Sequence, residues 1–252
     1  MDLKLTGMRV LVTGGTRGIG RAVVEAFLAE GAHVAFCARN PNEVAAALQA
    51  LSERGAVSGA TVDVGDAEAL AAWVETSADA FGGLDVVVAN VSALAIPDTE
   101  ENWQASLNVD LMHTVRLVRA AMPHLERSEA ASIIAISSVS GRESDFASGP
   151  YGTAKTAIIG YVHGLAMQLA GKGIRANTVS PGNTYFEGGV WSSIETGDPD
   201  LFRTAMELNP SGQMGTPEEV AAPVVFLASP LARRVSGTNL VVDGALTRGI
   251  QL

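Results

Sequence analysis

The sequence predicts an α/β protein: a doubly wound, seven-stranded parallel sheet with helices on both faces. Two observations carry that prediction. Short Val/Ile-rich runs alternate along the chain with longer stretches of helical composition, the pattern of successive βαβ units. The runs are also near-continuously apolar rather than alternating, as expected of strands buried on both sides. With 47% hydrophobic and 17% charged residues, the 252-residue chain can build a large core and is not a disordered or solvating protein.

Taken in order, a strand at 8–13 (MRVLVT) runs through a glycine-rich turn into a helix at 18–30, followed by a strand at 32–37 (AHVAFC). A helix at 41–54, a strand at 57–62 and a helix at 66–81 come next, with Asp66 placed to cap the last. The strand at 84–89 (LDVVVA) precedes a long helix at 101–127, and the strand at 131–137 (ASIIAIS) precedes another at 151–171. Strands at 174–179 (IRANTV) and 238–243 (TNLVVD) flank a helix at 216–229, which opens on Thr216-Pro217-Glu218-Glu219, a capping and proline-start signal. The segment at 182–215 breaks the pattern. It is rich in Gly, Pro and aromatic residues and too long for an ordinary connection, so a lid or substrate loop is expected at about 183–215. No linker or repeat divides the chain, and one domain over 1–252 is expected.

Lys and Arg total 17 against 27 Asp and Glu, a net charge of -10. That balance excludes a protein that tracks nucleic-acid phosphates and disfavours anionic membranes. The first residues lack a cationic stretch followed by an apolar one, and no apolar run approaches the ~18 residues a membrane span needs, so a cytoplasmic protein is expected. Cys37, the single cysteine, lies in the apolar run HVAFCA and reads as a buried structural thiol. His33, His113, His124 and His163 show no metal-ligand spacing, and no metal site is expected.

The first strand ends in TGGTRGIG at 13–20. Gly14, Gly18 and Gly20 let backbone approach a diphosphate, whose charge the following helix N-terminus favours. Arg21-Ala22 stand where a nucleoside-triphosphate P-loop requires Lys and Ser/Thr, so that reading fails. Tyr151 and Lys155, four residues apart on one helix, share a face, and an ammonium beside a phenol favours the phenolate needed for proton transfer.

The GxxxGxG spacing of Gly14-Gly18-Gly20, with Tyr151-Gly-Thr-Ala-Lys155, resembles the short-chain dehydrogenase/reductases, and in particular their 3-oxoacyl-ACP reductase-like members. The resemblance runs from Thr13 to Val241-Val242-Asp243-Gly244. It implies a Rossmann domain and carbonyl–alcohol chemistry on a nicotinamide dinucleotide. It also implies catalytic roles for Asn108, Ser138, Tyr151 and Lys155: Ser138 holding the substrate carbonyl, Tyr151 moving the proton, Lys155 tuning Tyr151 and binding ribose, and Asn108 holding a relay water. A helix-kink role remains the other reading of Asn108. For the cofactor the resemblance implies Gly14, Thr16, Arg17, Gly18, Ile19, Gly20, Arg39, Asp63, Val64, Asn90, Pro181, Gly182 and Thr184, with Tyr151 and Lys155. Capping is the alternative for Asp63. Ala89-Asn90-Val91-Ser92 and Phe186 depart from the family pattern. Leu94, Ile96, Tyr185, Phe186, Val190 and Trp191 lie in segments that line the substrate cleft of relatives. Relatives commonly assemble as homotetramers, a dimer being the other possibility. The three residues between Tyr151 and Lys155 set the chain apart from the superfamily's enoyl reductases, which have six.

Cofactor choice follows from charge. Ala38-Arg39-Asn40 offers no acid for a ribose 2′-hydroxyl, whereas Arg39 and Arg17 suit a 2′-phosphate, so NADP(H) is expected over NAD(H). The expected activity is reduction of a ketone or oxoacyl group with NADPH, on a small-molecule substrate. Two alternatives stand beside it: an alcohol dehydrogenase working mainly in oxidation, and a silent dinucleotide-binding regulator.

Overall fold

The structure is a computed structural model, and it describes residues 1–249. The last three residues of the tail 245–252, expected at a subunit interface, lie outside the described residues.

Seven parallel strands form one sheet in the order β3-β2-β1-β4-β5-β6-β7. They are β1 (Arg9–Thr13), β2 (His33–Ala38), β3 (Val57–Thr61), β4 (Val86–Ala89), β5 (Ser132–Ile136), β6 (Arg175–Pro181) and β7 (Asn239–Val242). All seven expected strands are present.

Period-two alternation distributes each strand between two cores. Val10, Val12, Val34, Phe36, Val86 and Val88 pack on one face, against α1 (Gly18–Ala29) and α9 (Pro217–Ala228). Leu11, Ala35, Cys37, Val87 and Ala89 pack on the other, against α3 (Ala67–Phe81), α5 (His113–Leu125) and α6 (Pro150–Leu169). Burial pushes the Cys37 thiol up to about 12, so it is an inert core group, as its apolar run implied.

Side-chain caps explain several helix starts. Asn40 caps α2 (Pro41–Leu51), Asp66 caps α3, and Thr216 with Glu219 closes a capping box on α9. The helix expected at 101–127 is three pieces: α4 (Glu100–Ala105), a π-helical segment Ser106–Met112, and α5. The segment 182–215 is also more ordered than a plain loop. It carries α7 (Val190–Gly197) and α8 (Pro199–Leu208), which close over a small core of Trp191, Ala205 and Met214. Among the described residues, no helix is long and apolar enough to cross a membrane.

Candidate active site

The strand order reverses its direction of growth between β1 and β4, and the carboxyl ends of the strands there bound a cleft, the usual ligand position in such sheets. A cavity of about 900 Å³ occupies it, lined by Gly14 after β1, Arg39 after β2, Asn90 after β4, Ser138 after β5 and Gly182 after β6. That volume lies near the top of the range for ligand pockets, roughly 300–1,000 Å³.

At one end stands the glycine turn. Gly14 and Gly18 adopt positive φ of 74° and 54°, which L side chains rarely take. A Cβ on Gly20 would lie 2.1 Å from the Gly14 carbonyl oxygen. Asn90 braces the turn: its Nδ2 donates to Thr13 O at 3.0 Å, and its backbone N–H donates to Thr13 Oγ1 at 3.0 Å. His113 lies beneath, fully buried, with Nε2 3.1 Å from Thr13 Oγ1 and Nδ1 3.1 Å from Val109 O. Burial pushes this imidazole down to about 4, so it is neutral near pH 7; because a carbonyl only accepts, Nδ1 carries the proton.

Arg17 caps α1 without any side-chain hydrogen bond to the first turn, where Asn40 and Asp66 satisfy the starts of α2 and α3. The N–H groups opening α1 thus have no side-chain acceptor from the cap and lie beside the cavity, where such a helix start favours an anion. Thr16, Arg17, Ile19, Arg39, Val64, Pro181 and Thr184 line the cavity as well. Asp63 does not. Its exposed side chain accepts from Gly65 N at 2.9 Å in a local turn beside the cavity wall, with Val62 and Val64 facing inward instead. Gly18 also stands just outside the lining, beneath Phe186, whose ring would meet a Cβ there at 2.5 Å.

At the other end, Ser138, Tyr151 and Lys155 all line the cavity. Ser138 follows β5 and its Oγ accepts from Ser140 N at 3.2 Å. Lys155 Nζ lies 5.5 Å from the Tyr151 ring centroid and donates to Ile136 O at 3.1 Å, while Ser137 Oγ donates to Lys155 O at 2.9 Å and anchors that turn of α6. Ser137 is therefore a structural neighbour of the site.

Asn108 is not brought to this cluster. Its Nδ2 contacts Gly65 O at 3.4 Å and its Oδ1 accepts from Arg116 at 2.7 Å, which ties the helix to the loop after β3. Asp110, on the same π-helical segment, is the side chain presented to Lys155, with Oδ1 3.1 Å from Nζ. Sequence reasoning missed Asp110, yet a signal was there. Ser106, Asp110, His113, Thr114 and Leu117 recur at helical spacing on one buried face, and an acid among them requires a partner.

Of the expected substrate residues, Leu94, Ile96 and Trp191 line the cavity, joined by Phe186 and Val190. Tyr185 is a correction. Its hydroxyl donates to Glu195 at 2.6 Å and its ring packs on Phe202, so it supports the lid's own core rather than the cavity wall. Trp191 does both, packing edge-on to Phe146 at 5.5 Å and to Phe202 at 6.5 Å.

A phosphate-ready glycine turn joined by one cavity to a Ser, Tyr and Lys cluster defines a dinucleotide-dependent oxidoreductase. A family model described as enoyl-(acyl carrier protein) reductase matches residues 14–247. The chain is 42% identical to the isoepoxydon dehydrogenase patN of Penicillium expansum, over 98% of this chain and 97% of that protein. It is 32% identical to the 3-oxoacyl-[acyl-carrier-protein] reductase FabG of Vibrio harveyi, over 97% and 99%. Among solved structures, L-sorbose reductase from Gluconobacter frateurii, complexed with NADPH and L-sorbose, superposes with a TM-score of 0.91 at 27% identity, over 99% of this chain and 100% of that one. The protein belongs to the short-chain dehydrogenase/reductase family.

Proposed function

We propose that the protein is an NADP(H)-dependent oxidoreductase that interconverts a ketone or 3-oxoacyl group and the corresponding secondary alcohol. The observation that carries this reading is the continuity of the cavity from the glycine turn to Ser138, Tyr151 and Lys155. The turn, the open start of α1, and Asn90 would hold the dinucleotide, with Lys155 reaching its ribose. A bound nicotinamide supplies or accepts the hydride. In reduction, Ser138 Oγ donates to the carbonyl oxygen and stabilises the charge that develops on it, and Tyr151 hands over its phenolic proton as the C–O bond becomes single. Lys155 keeps a positive charge beside Tyr151. Oxidation of an alcohol uses the same groups in reverse.

The substrate end of the cavity favours a neutral ketone. Leu94, Ile96, Phe146 and Trp191 are apolar, and among the described residues Asp145 is the charged side chain added beside them, while the exposed Arg17 and Arg39 stand at the glycine-turn end. A relative that acts on isoepoxydon and a structural neighbour that holds L-sorbose support this reading.

Arg39 lines the cavity where a 2′-phosphate is expected, while Arg17 spends one donor on Gly188 O at 3.1 Å. The carboxylate of Glu43, which accepts from Thr16 Oγ1 at 3.2 Å, opposes them in the same wall. The arginines prevail on this account, so NADPH binds more tightly than NADH. Arg39→Ala should cut the preference about tenfold, the value of one charge-assisted hydrogen bond. Fluorescence titration with both cofactors checks this; equal dissociation constants in the unaltered protein would refute it.

A further inference from the structure

Ser140 and Asp145 both line the substrate end of the cavity, and no step of the chemistry above uses them. Ser140 Oγ donates to Asp145 Oδ2 at 2.6 Å, and Ser140 N donates to Ser138 Oγ at 3.2 Å. The carboxylate therefore stands one serine away from the hydroxyl that takes the substrate carbonyl. The loop holds it there: Asp145 Oδ1 accepts from Ala147 N at 2.8 Å, and Asp145 N donates to Ser148 Oγ at 2.9 Å. Lys155, the cation at this end, is bonded to Asp110 and Ile136 O instead. Among the described residues, Asp145 is thus a carboxylate on the cavity wall that is not spent on a cation.

The Ser140–Asp145 pair presents acceptors and no donor. Ser140 Oγ has a single hydrogen, already given to Asp145, and keeps a free lone pair. Each carboxylate oxygen takes one hydrogen bond from the loop, whereas an ionised carboxylate has about four acceptor positions. Such a wall suits a group that donates a hydrogen bond without carrying negative charge, as an alcohol hydroxyl does. A second carbonyl finds no donor in the pair, and a carboxylate is repelled by it. Leu94, Ile96, Phe146 and Trp191 supply apolar surface for the carbon skeleton.

We propose that Asp145, with Ser140, determines specificity by accepting a hydrogen bond from a substrate hydroxyl, and that the substrate is a neutral ketone bearing that hydroxyl a few bonds from its carbonyl. An oxo acid or a 3-oxoacyl thioester fits the pair poorly. The inference rests on the carbonyl–alcohol chemistry proposed above and narrows its substrate.

Reduction by NADPH of cyclohexanone, the three isomeric hydroxycyclohexanones, an oxocyclohexanecarboxylate and a 3-oxoacyl thioester tests it. In the unaltered enzyme, kcat/KM for at least one hydroxycyclohexanone should exceed that for each of the other three classes by about tenfold or more, the value of one hydrogen bond to a charged group. Asp145→Asn keeps an acceptor for Ala147 N–H but replaces the other carboxylate oxygen with an amide donor. It should erase the preference: the hydroxylated ketone falls toward cyclohexanone and the oxo acid rises, with folding checked by circular dichroism. Where that variant does not fold, Asp145→Ser, whose hydroxyl can also cap the turn, is read in the same way. A loss shared equally by every ketone would make Asp145 a cap of its loop and nothing more, which overturns the proposal. An unaltered enzyme that favours none of the hydroxycyclohexanones, or that takes the oxo acid best, overturns it as well. An enzyme that reduces no ketone at all would instead overturn the carbonyl chemistry on which the proposal rests.

Discussion

Replacing Tyr151 with Phe is expected to lower kcat by roughly 10²–10⁴-fold, the contribution of a positioned general acid, and to leave the dissociation constant for NADPH nearly unchanged. The change deletes only the hydroxyl. The ring stays half-buried at the start of α6 and the Lys155 ammonium keeps its neighbours Asp110 and Ile136 O. Steady-state rates with fluorescence titration separate the two effects. A variant that reduces ketones at the normal rate would show that the proton comes from elsewhere.

Gly20→Ala should be the most damaging single-methyl change at the cofactor end. The added Cβ would sit 2.1 Å from the Gly14 carbonyl oxygen and 2.5 Å from Asn90 Nδ2, and neither can withdraw cheaply. The first is backbone, and the second is already committed to Thr13 O. Relief requires the turn to move away from β1, which spoils the approach of backbone to a diphosphate. A stability loss of about 1–3 kcal/mol is expected from the overpacking, together with NADPH binding weakened about tenfold or more for each 1.4 kcal/mol of misfit. Urea unfolding and cofactor titration measure both. A protein as stable and as tightly bound as the original would mean that the glycine turn is not the phosphate cradle.

Period and composition made the sheet legible: β1, β4, β5 and β7 are short runs rich in Val and Ile, and a doubly covered parallel sheet is what such runs can build. The strand ends then placed the glycine turn, Ser138 and the Tyr151–Lys155 pair, because those motifs sit directly after β1, after β5 and on α6. What was not legible depends on conformations that propensity does not encode. The π-helical segment has no sequence signature, and it turns Asn108 toward Gly65 and Arg116 while bringing Asp110 to Lys155. Tyr185 and Phe186 are neighbours of similar character, and only the path of the chain into α7 decides that Phe186 faces the cavity and Tyr185 faces Glu195. The helices of the lid were hidden for a related reason. They are short, and they are held by the small core of Trp191, Ala205 and Met214 rather than by a long amphipathic stripe.

Direct transfer of label tests the central claim most sharply. NADPH carrying deuterium on one or the other face of nicotinamide C4 is supplied with a panel of hydroxylated cyclic ketones, ketoses and 3-oxoacyl thioesters, and the alcohols formed are read by mass spectrometry. The account predicts deuterium from one of the two faces on the carbinol carbon of at least one product, with the Tyr151→Phe enzyme forming almost none. Alcohol formed without the label from either face, or no reduction of any ketone by the cofactor-loaded enzyme, would contradict it.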